Sequence, residues 1–152
     1  MKKEEINMVY TSEMPLPKKS SDKSFVFLAG SMGKDEHGTW RERIMSDLSG
    51  KFLFLDPTCH NHASLDADGM KKHIQWELDA MEMADTILLH FLPESESPIS
   101  LVELGLYTFT DKLIVVCPKE FYKYNYLYVL CEKYNTPFLE DIEAAKPYLL
   151  NR

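Results

Sequence analysis

From Ser24 onward, short continuous apolar runs alternate with stretches whose apolar residues recur at helical spacing. SFVFLAGS (24–31) predicts a buried strand ending in a glycine turn, and TWRERIMSDLSG (39–50) a helix closed by Gly50. KFLFLDPT (51–58) predicts a second strand, stopped at Asp56-Pro57, and the polar stretch from Cys59 to Gly69 a loop. MKKHIQWELDAMEMAD (70–85) places Ile74, Leu78 and Met81 along one helical stripe. TILLHFLP (86–93) is a third strand, SPISLVELGLY (97–107) a helix, and KLIVVCP (112–118) a fourth strand. FYKYNYLYVLCEKY (121–134) then reads as helix, TPFLE (136–140) as a short fifth strand, and DIEAAKPYLLNR (141–152) as a terminal helix.

Strands that are apolar on both faces and alternate with helices imply a parallel sheet covered on both sides. The expectation is therefore an α/β fold: one domain over 24–152, with a Rossmann-like or flavodoxin-like parallel sheet of about five strands flanked by helices. Residues 1–23 read as an N-terminal extension, extended or weakly ordered, because Pro15 and Pro17 oppose helix formation. Ligands of such sheets bind beyond the carboxyl ends of the strands. Gly30-Ser31-Met32-Gly33, Asp56-Pro57-Thr58 and the stretch from Pro93 to Ser100 should meet there.

The helix at 97–107 poses a chemical question. Ile99, Leu101, Val102, Leu104, Leu106 and Tyr107 leave almost no polar face, so the segment should be buried nearly all round, yet it carries Glu103. A carboxylate in such surroundings raises its pKa or finds partners, and nothing close in sequence can neutralise this one. One reading pairs it structurally with an Arg or Tyr; the other makes it a functional group. Ser97-Pro98 is a good helix start, with Ser97 as N-cap and Pro98 at the first helical position. The positive end of that helix could hold a phosphate or hydroxyl, or Ser97 could be a cap and nothing more. Glu77, on the preceding helix, is a second candidate carboxylate; among Asp79, Glu82 and Asp85 it could equally be a solvated surface residue. Two carboxylates converging beside a sugar suit nucleophilic attack and acid/base work at an anomeric carbon.

Composition narrows the partners. With 152 residues, 45% of them hydrophobic and 27% charged, the chain fits one soluble globular domain. A net charge of -7, with basic runs no longer than pairs such as Lys18-Lys19, argues against a nucleic-acid polymer as partner. A single nucleotide stays open, since backbone N–H groups can hold one phosphate whatever the global charge. Three cysteines without framework spacing suggest reduced thiols in a cytoplasmic protein. No apolar run reaches membrane-spanning length, and the polar N-terminus lacks the apolar core of a signal peptide.

FVFLAGSMG, TW, QWELDAMEMAD and above all SPISLVELGLY followed by KLIVVCPKEFY resemble the nucleoside 2-deoxyribosyltransferase family, in particular its shorter deoxyribosyltransferase-like branch. The resemblance spans about residues 25 to 140. It implies that Glu103, the Glu of E-L-G, is the nucleophile, and that Glu77 stands at the position of an Asp that acts as acid/base toward the nucleobase. Glu for Asp keeps the carboxylate but reaches one methylene further. Phe27 stands where transferases usually have a Tyr whose hydroxyl steadies the catalytic Glu, a bond that Phe27 cannot make. Ser31 and Ser97 match serines of the related nucleoside-monophosphate glycosidases, the second of which contacts phosphate; transferases of free nucleosides tend to have Asp there. A Ser can donate to a phosphate that an Asp would repel, which favours a nucleotide. Asn125 matches an Asn that a neighbouring subunit contributes to the 5′ end of the sugar, implying a homo-oligomer. With Gly30, Asp56 and Ser100 these form the expected substrate-binding set.

The implied reaction cleaves the N-glycosidic bond of a (deoxy)nucleoside or its 5′-monophosphate through a glycosyl-enzyme on Glu103, then transfers the sugar to another nucleobase, with no cofactor. Alternatives are a nucleotide N-glycoside hydrolase, with water as acceptor, and a non-catalytic nucleotide-binding module, which Phe27 and Glu77 keep open. Cys59, His60 and His62 cluster, but C-H-N-H is not structural-zinc spacing, so no metal is expected. Trp40 and Trp76 read as packing residues, and Tyr122, Tyr124, Tyr126 and Tyr128 as an interface or half-exposed helix face.

Overall fold

The computed structural model describes residues 8–19 and 22–152; residues 1–7, 20 and 21 of the predicted extension lie outside the described residues. In chain order the elements are β1 (Val9–Thr11), β2 (Ser24–Gly30), a hairpin of β3 (Lys34–Asp35) and β4 (Gly38–Thr39), α1 (Trp40–Asp47) and β5 (Phe52–Asp56). There follow α2 (Ala67–Met83), β6 (Thr86–His90), α3 (Pro98–Tyr107), β7 (Leu113–Val116), α4 (Tyr124–Lys133), β8 (Phe138–Leu139) and α5 (Ile142–Leu150). A single 3₁₀ turn, His62–Ser64, interrupts the polar stretch before α2.

Among the described residues, six strands form one sheet in the order β1-β5-β2-β6-β7-β8, every neighbouring pair parallel. The expected parallel α/β sheet is therefore present, with one strand more than the sequence pattern signalled. That strand, β1, pairs Val9 with Phe54 and Thr11 with Asp56, covering the edge of β5. The central strands β5, β6 and β7 are buried along their whole length, and β2 is buried from Phe25 to Ala29, as their continuous apolar runs require.

Side chains alternate across the sheet into two cores. Phe25, Phe27, Leu55, Ile87, Leu89 and Val115 pack with Trp76, Ala80 and Met81 of α2, Leu104 of α3 and Leu127 and Cys131 of α4. Val26, Leu28, Phe54, Leu88, Ile114 and Val116 pack with Trp40 and Ile44 of α1 and Ala145 and Leu149 of α5. Three helices thus lie on one face and two on the other. The chain leaves β2 toward β5 by α1, then returns over β2 by α2 to reach β6. The strand order reverses at the β2/β6 boundary, where a crevice opens at the carboxyl ends.

Capping fixes the helix starts. Thr39 and Glu42 form a capping box at α1, and the Asp66 and Asp141 carboxylates accept from Gly69 and Ala144 at α2 and α5. The α3 start differs from the expectation: Ser97 is left-handed (φ 49°) and its hydroxyl makes no cap bond. Nor is α3 buried all round. Only Ser100, Glu103 and Leu104 are buried, while Ile99, Val102 and Leu106 are each more than half exposed. These three residues border the cavity described below instead of the core.

Candidate active site

The crevice at the β2/β6 boundary is a cavity of about 960 Å³. Its floor comes from β2 (Phe27, Ala29, Gly30), one wall from α2 (His73, Ile74, Glu77, Leu78, Met81) and the other from α3 (Ser100, Val102, Glu103, Leu106). Of the residues singled out in the sequence, Phe27, Gly30, Ser31, Glu77, Ser97, Ser100 and Glu103 all line it. Asp56 and Asn125 do not. Asp56 is buried beside it, accepting at one oxygen from the Thr58 backbone (3.0 Å) and hydroxyl (2.7 Å). Asn125 is exposed at the start of α4.

Gly30 ends β2 at φ 126°, a backbone region that L side chains rarely adopt, and a Cβ there would overlap the His90 carbonyl on β6. Beyond it the chain turns tightly: Ser31 N donates to His90 O (2.9 Å), and the Leu92 N–H donates to Ser31 Oγ (2.9 Å). Ser31 Oγ lies 2.7 Å from Ser97 Oγ and 2.6 Å from Ser95 Oγ, and the last two lie 3.0 Å apart. The left-handed backbone of Ser97 accompanies this turn of its hydroxyl toward Ser31 rather than toward its own helix; such strain is held only where surrounding contacts fix it. Three hydroxyls therefore meet at the cavity's edge, at the amino end of α3. Sequence reasoning identified two; no periodicity or spacing marks Ser95 as the third.

Beneath the turn lies Arg41, only 2% exposed. Its Nε donates to Leu28 O (2.9 Å), Nη1 to Ser31 O (3.1 Å) and Nη2 to Gly30 O (3.0 Å), while Trp40 Nε1 also donates to Ser31 O (3.0 Å). Arg41 thus ties α1 to the end of β2 and brings a buried positive charge to the cavity. Burial lowers its pKa to about 10, with Asp56, Glu103 and Glu77 opposing that fall, so it stays charged at neutral pH. The sequence signal was available: Arg41 falls beside Trp40, Ile44 and Leu48 on the stripe that α1 buries.

Glu103 is 8% exposed, and burial together with the neighbouring Glu77 charge raises its pKa to about 7, against the pull of Arg41. Burial also raises Glu77, opposed chiefly by His73. One helical turn before Glu77, His73 places Nε2 3.0 Å from Glu77 Oε1, and the His62 ring meets the His73 ring edge-on at 5.2 Å. That (i, i+4) spacing was legible but was not singled out. The partners missing from the local sequence around Glu103 are thus Arg41 and Glu77, from two other helices. Two carboxylates with raised pKa values, one buried cation and a cluster of hydroxyls face a largely apolar cavity: a charge-separating reaction on a small polar molecule fits this arrangement.

Among the described residues no group of three His, Cys, Asp or Glu side chains could hold a metal ion, and Cys59, Cys117 and Cys131 are free thiols. No helix among them is long and apolar enough to cross a membrane.

A family model described as "Nucleoside 2-deoxyribosyltransferase like" matches residues 23–121. The span runs from β2 to the turn after β7; it includes every cavity residue named above and leaves Asn125 outside. No curated protein matches the chain.

Proposed function

Because the chain belongs to the nucleoside 2-deoxyribosyltransferase-like family, we propose that it cleaves the N-glycosidic bond of a (deoxy)nucleoside or its 5′-monophosphate and passes the sugar to another nucleobase. The observation that carries this reading is Glu103, a buried carboxylate in the cavity wall with Glu77 and Arg41 within electrostatic reach.

In the proposed reaction, the Glu103 carboxylate attacks C1′ and the C1′–N bond breaks, its electron pair leaving with the base. Glu77, held by His73, gives the departing base a proton. An incoming base then attacks C1′, expels Glu103 and returns a proton to Glu77; with water as acceptor the same intermediate yields free sugar. Ile74 and Leu78 on one wall and Val102 and Leu106 on the other suit the faces of a heterocycle. The hydroxyls of Ser31, Ser95 and Ser97 can all donate to a 5′-phosphate, and a pKa near 7 leaves a substantial fraction of Glu103 ionised at neutral pH. Arg41 supports that ionised form, taking part of the role that a Tyr hydroxyl at Phe27 would have.

The test incubates the parent chain, Glu103→Ala and Glu103→Gln with 2′-deoxynucleosides and their monophosphates, with and without a second free base. A new nucleoside in the parent reports transfer, and free sugar reports hydrolysis. Both variants should lose the activity while remaining folded by circular dichroism. Near-normal turnover by Glu103→Ala overturns the nucleophile assignment, and no product from any substrate favours a binding module.

A further inference from the structure

After β1 the chain turns at Met14, whose N–H donates to Thr11 O (3.0 Å), and then follows α2 as a strap. Three of its contacts fall beside the cavity. Ser12 Oγ donates toward Pro57 O and Thr58 O, 3.4 Å from each. Glu13 Oε1 accepts from the His60 N–H (3.1 Å). Met14 O accepts from Nε1 of Trp76, the residue before Glu77 (2.9 Å). Further along, Lys19 Nζ donates to Met83 O (3.0 Å) and to the Asp85 carboxylate, at the carboxyl end of α2. This strap precedes the stretch that the family model matches, which begins at residue 23.

Two adjacent strap residues therefore hold two different elements: Glu13 the loop between β5 and α2, and Met14 the helix itself. That loop carries His62, and α2 carries His73 and Glu77. The exposed His62 meets buried His73 edge-on at 5.2 Å, and His73 contacts Glu77 at 3.0 Å. Burial raises the Glu77 pKa, and His73, then His62 and Arg41, oppose it. A loop side chain keeps such a place only where the backbone that carries it is held. We infer that Glu13 and Trp76 are positioning residues for the base end of the reaction: through the strap they hold His62 against His73, and so keep Glu77 set to give its proton to the departing base. This rests on the acid/base reading of Glu77. Neither residue lines the cavity, so both act through others.

The test measures kcat and KM on the full chain, with the 2′-deoxynucleoside or monophosphate that the parent turns over. Glu13→Ala, at an exposed position, should lower kcat about three- to tenfold, the worth of about one hydrogen bond, with KM within about twofold of the parent. Glu13→Gln keeps an acceptor for the His60 N–H and should restore the parent rate. Trp76→Phe keeps a ring but removes the donor to Met14 O, and should lower kcat in the same way. Adding Glu13→Ala to His62→Gln should cost nothing further, because the strap acts through His62; a loss from loosened folding would appear in both backgrounds. In the imidazole proton spectrum, Glu13→Ala should move the His62 signals and leave those of His37, in the β3–β4 hairpin, in place. A parent-like kcat in Glu13→Ala or Trp76→Phe, a Glu13→Gln chain as slow as Glu13→Ala, an equal loss in the His62→Gln background, or unmoved His62 signals would each overturn the inference and leave the catalytic reading standing. No product from the parent chain overturns the reading beneath it, and the inference with it.

Discussion

Replacing Glu103 by Gln removes one ionisable group from the cavity wall while nearly preserving its shape. In the folded chain this carboxyl titrates near 7, against 4.5 for a free glutamate, and burial is the main cause. At about 1.36 kcal/mol per pKa unit, ionising Glu103 costs the folded state about 3 kcal/mol relative to the unfolded state. The sign follows from the protons. Between pH 4.5 and about 7 the folded parent keeps a proton that the unfolded chain has released, so parent stability falls as pH rises through that window. Glu103→Gln lacks this loss. Any fixed cost of burying an amide is the same at every pH and cancels when the two chains are compared at pH 4 and pH 8. The variant should therefore gain about 3 kcal/mol on the parent between those two values, or roughly 6–12 °C in Tm for a chain of this size. Urea or thermal unfolding followed by circular dichroism measures it. Parallel stability curves from pH 4 to pH 8 would refute the reasoning and return Glu103 to the status of a solvated or fully paired carboxylate. The expected outcome is a chain that is inactive and, above neutral pH, more stable than its parent, as when a site retains a charge at the fold's expense.

Gly30→Ala sets a Cβ into the His90 carbonyl at a positive φ, and should cost more than about 3 kcal/mol or prevent folding; an unchanged urea midpoint would contradict the tight β2–β6 approach. His73→Gln removes the neighbour that most lowers the Glu77 pKa, so the pH–rate limb reporting Glu77 should move to higher pH with the fold intact, and an unmoved profile would remove His73 from the proposed mechanism. Tyr126 and Val129 on α4 are 73% and 64% exposed, beside Asn125, an apolar surface that a second copy could cover. Inactive Glu103→Ala chains mixed with Asn125→Ala chains should then recover partial activity by pairing an intact Glu103 with an intact Asn125, whereas sedimentation of a fully active monomer would exclude a shared site.

What the sequence determined by itself was whatever is encoded within a few neighbouring residues. Continuous apolar runs such as FVFLA and LIVV can only be buried on both faces, so the parallel sheet and its alternation with helices followed from local patterning. The glycine turn after β2 and a carboxylate isolated in an apolar helix were visible for the same reason. Tertiary structure decided the rest. β1 is three half-buried residues with no apolar run, and it is a strand because β5 offers an open edge to pair with. Arg41 precedes Glu103 by 62 positions (103 − 41), and only the crossing of α1 and α3 at opposite faces of one sheet end brings their charges within reach. The apolar positions of α3 give no sign of which ones meet the core: Leu104 does, while Val102 and Leu106 border the cavity and stay open to solvent. Helical periodicity states which residues share a face; what that face meets is settled by the topology of the sheet, through contacts between residues far apart in the chain.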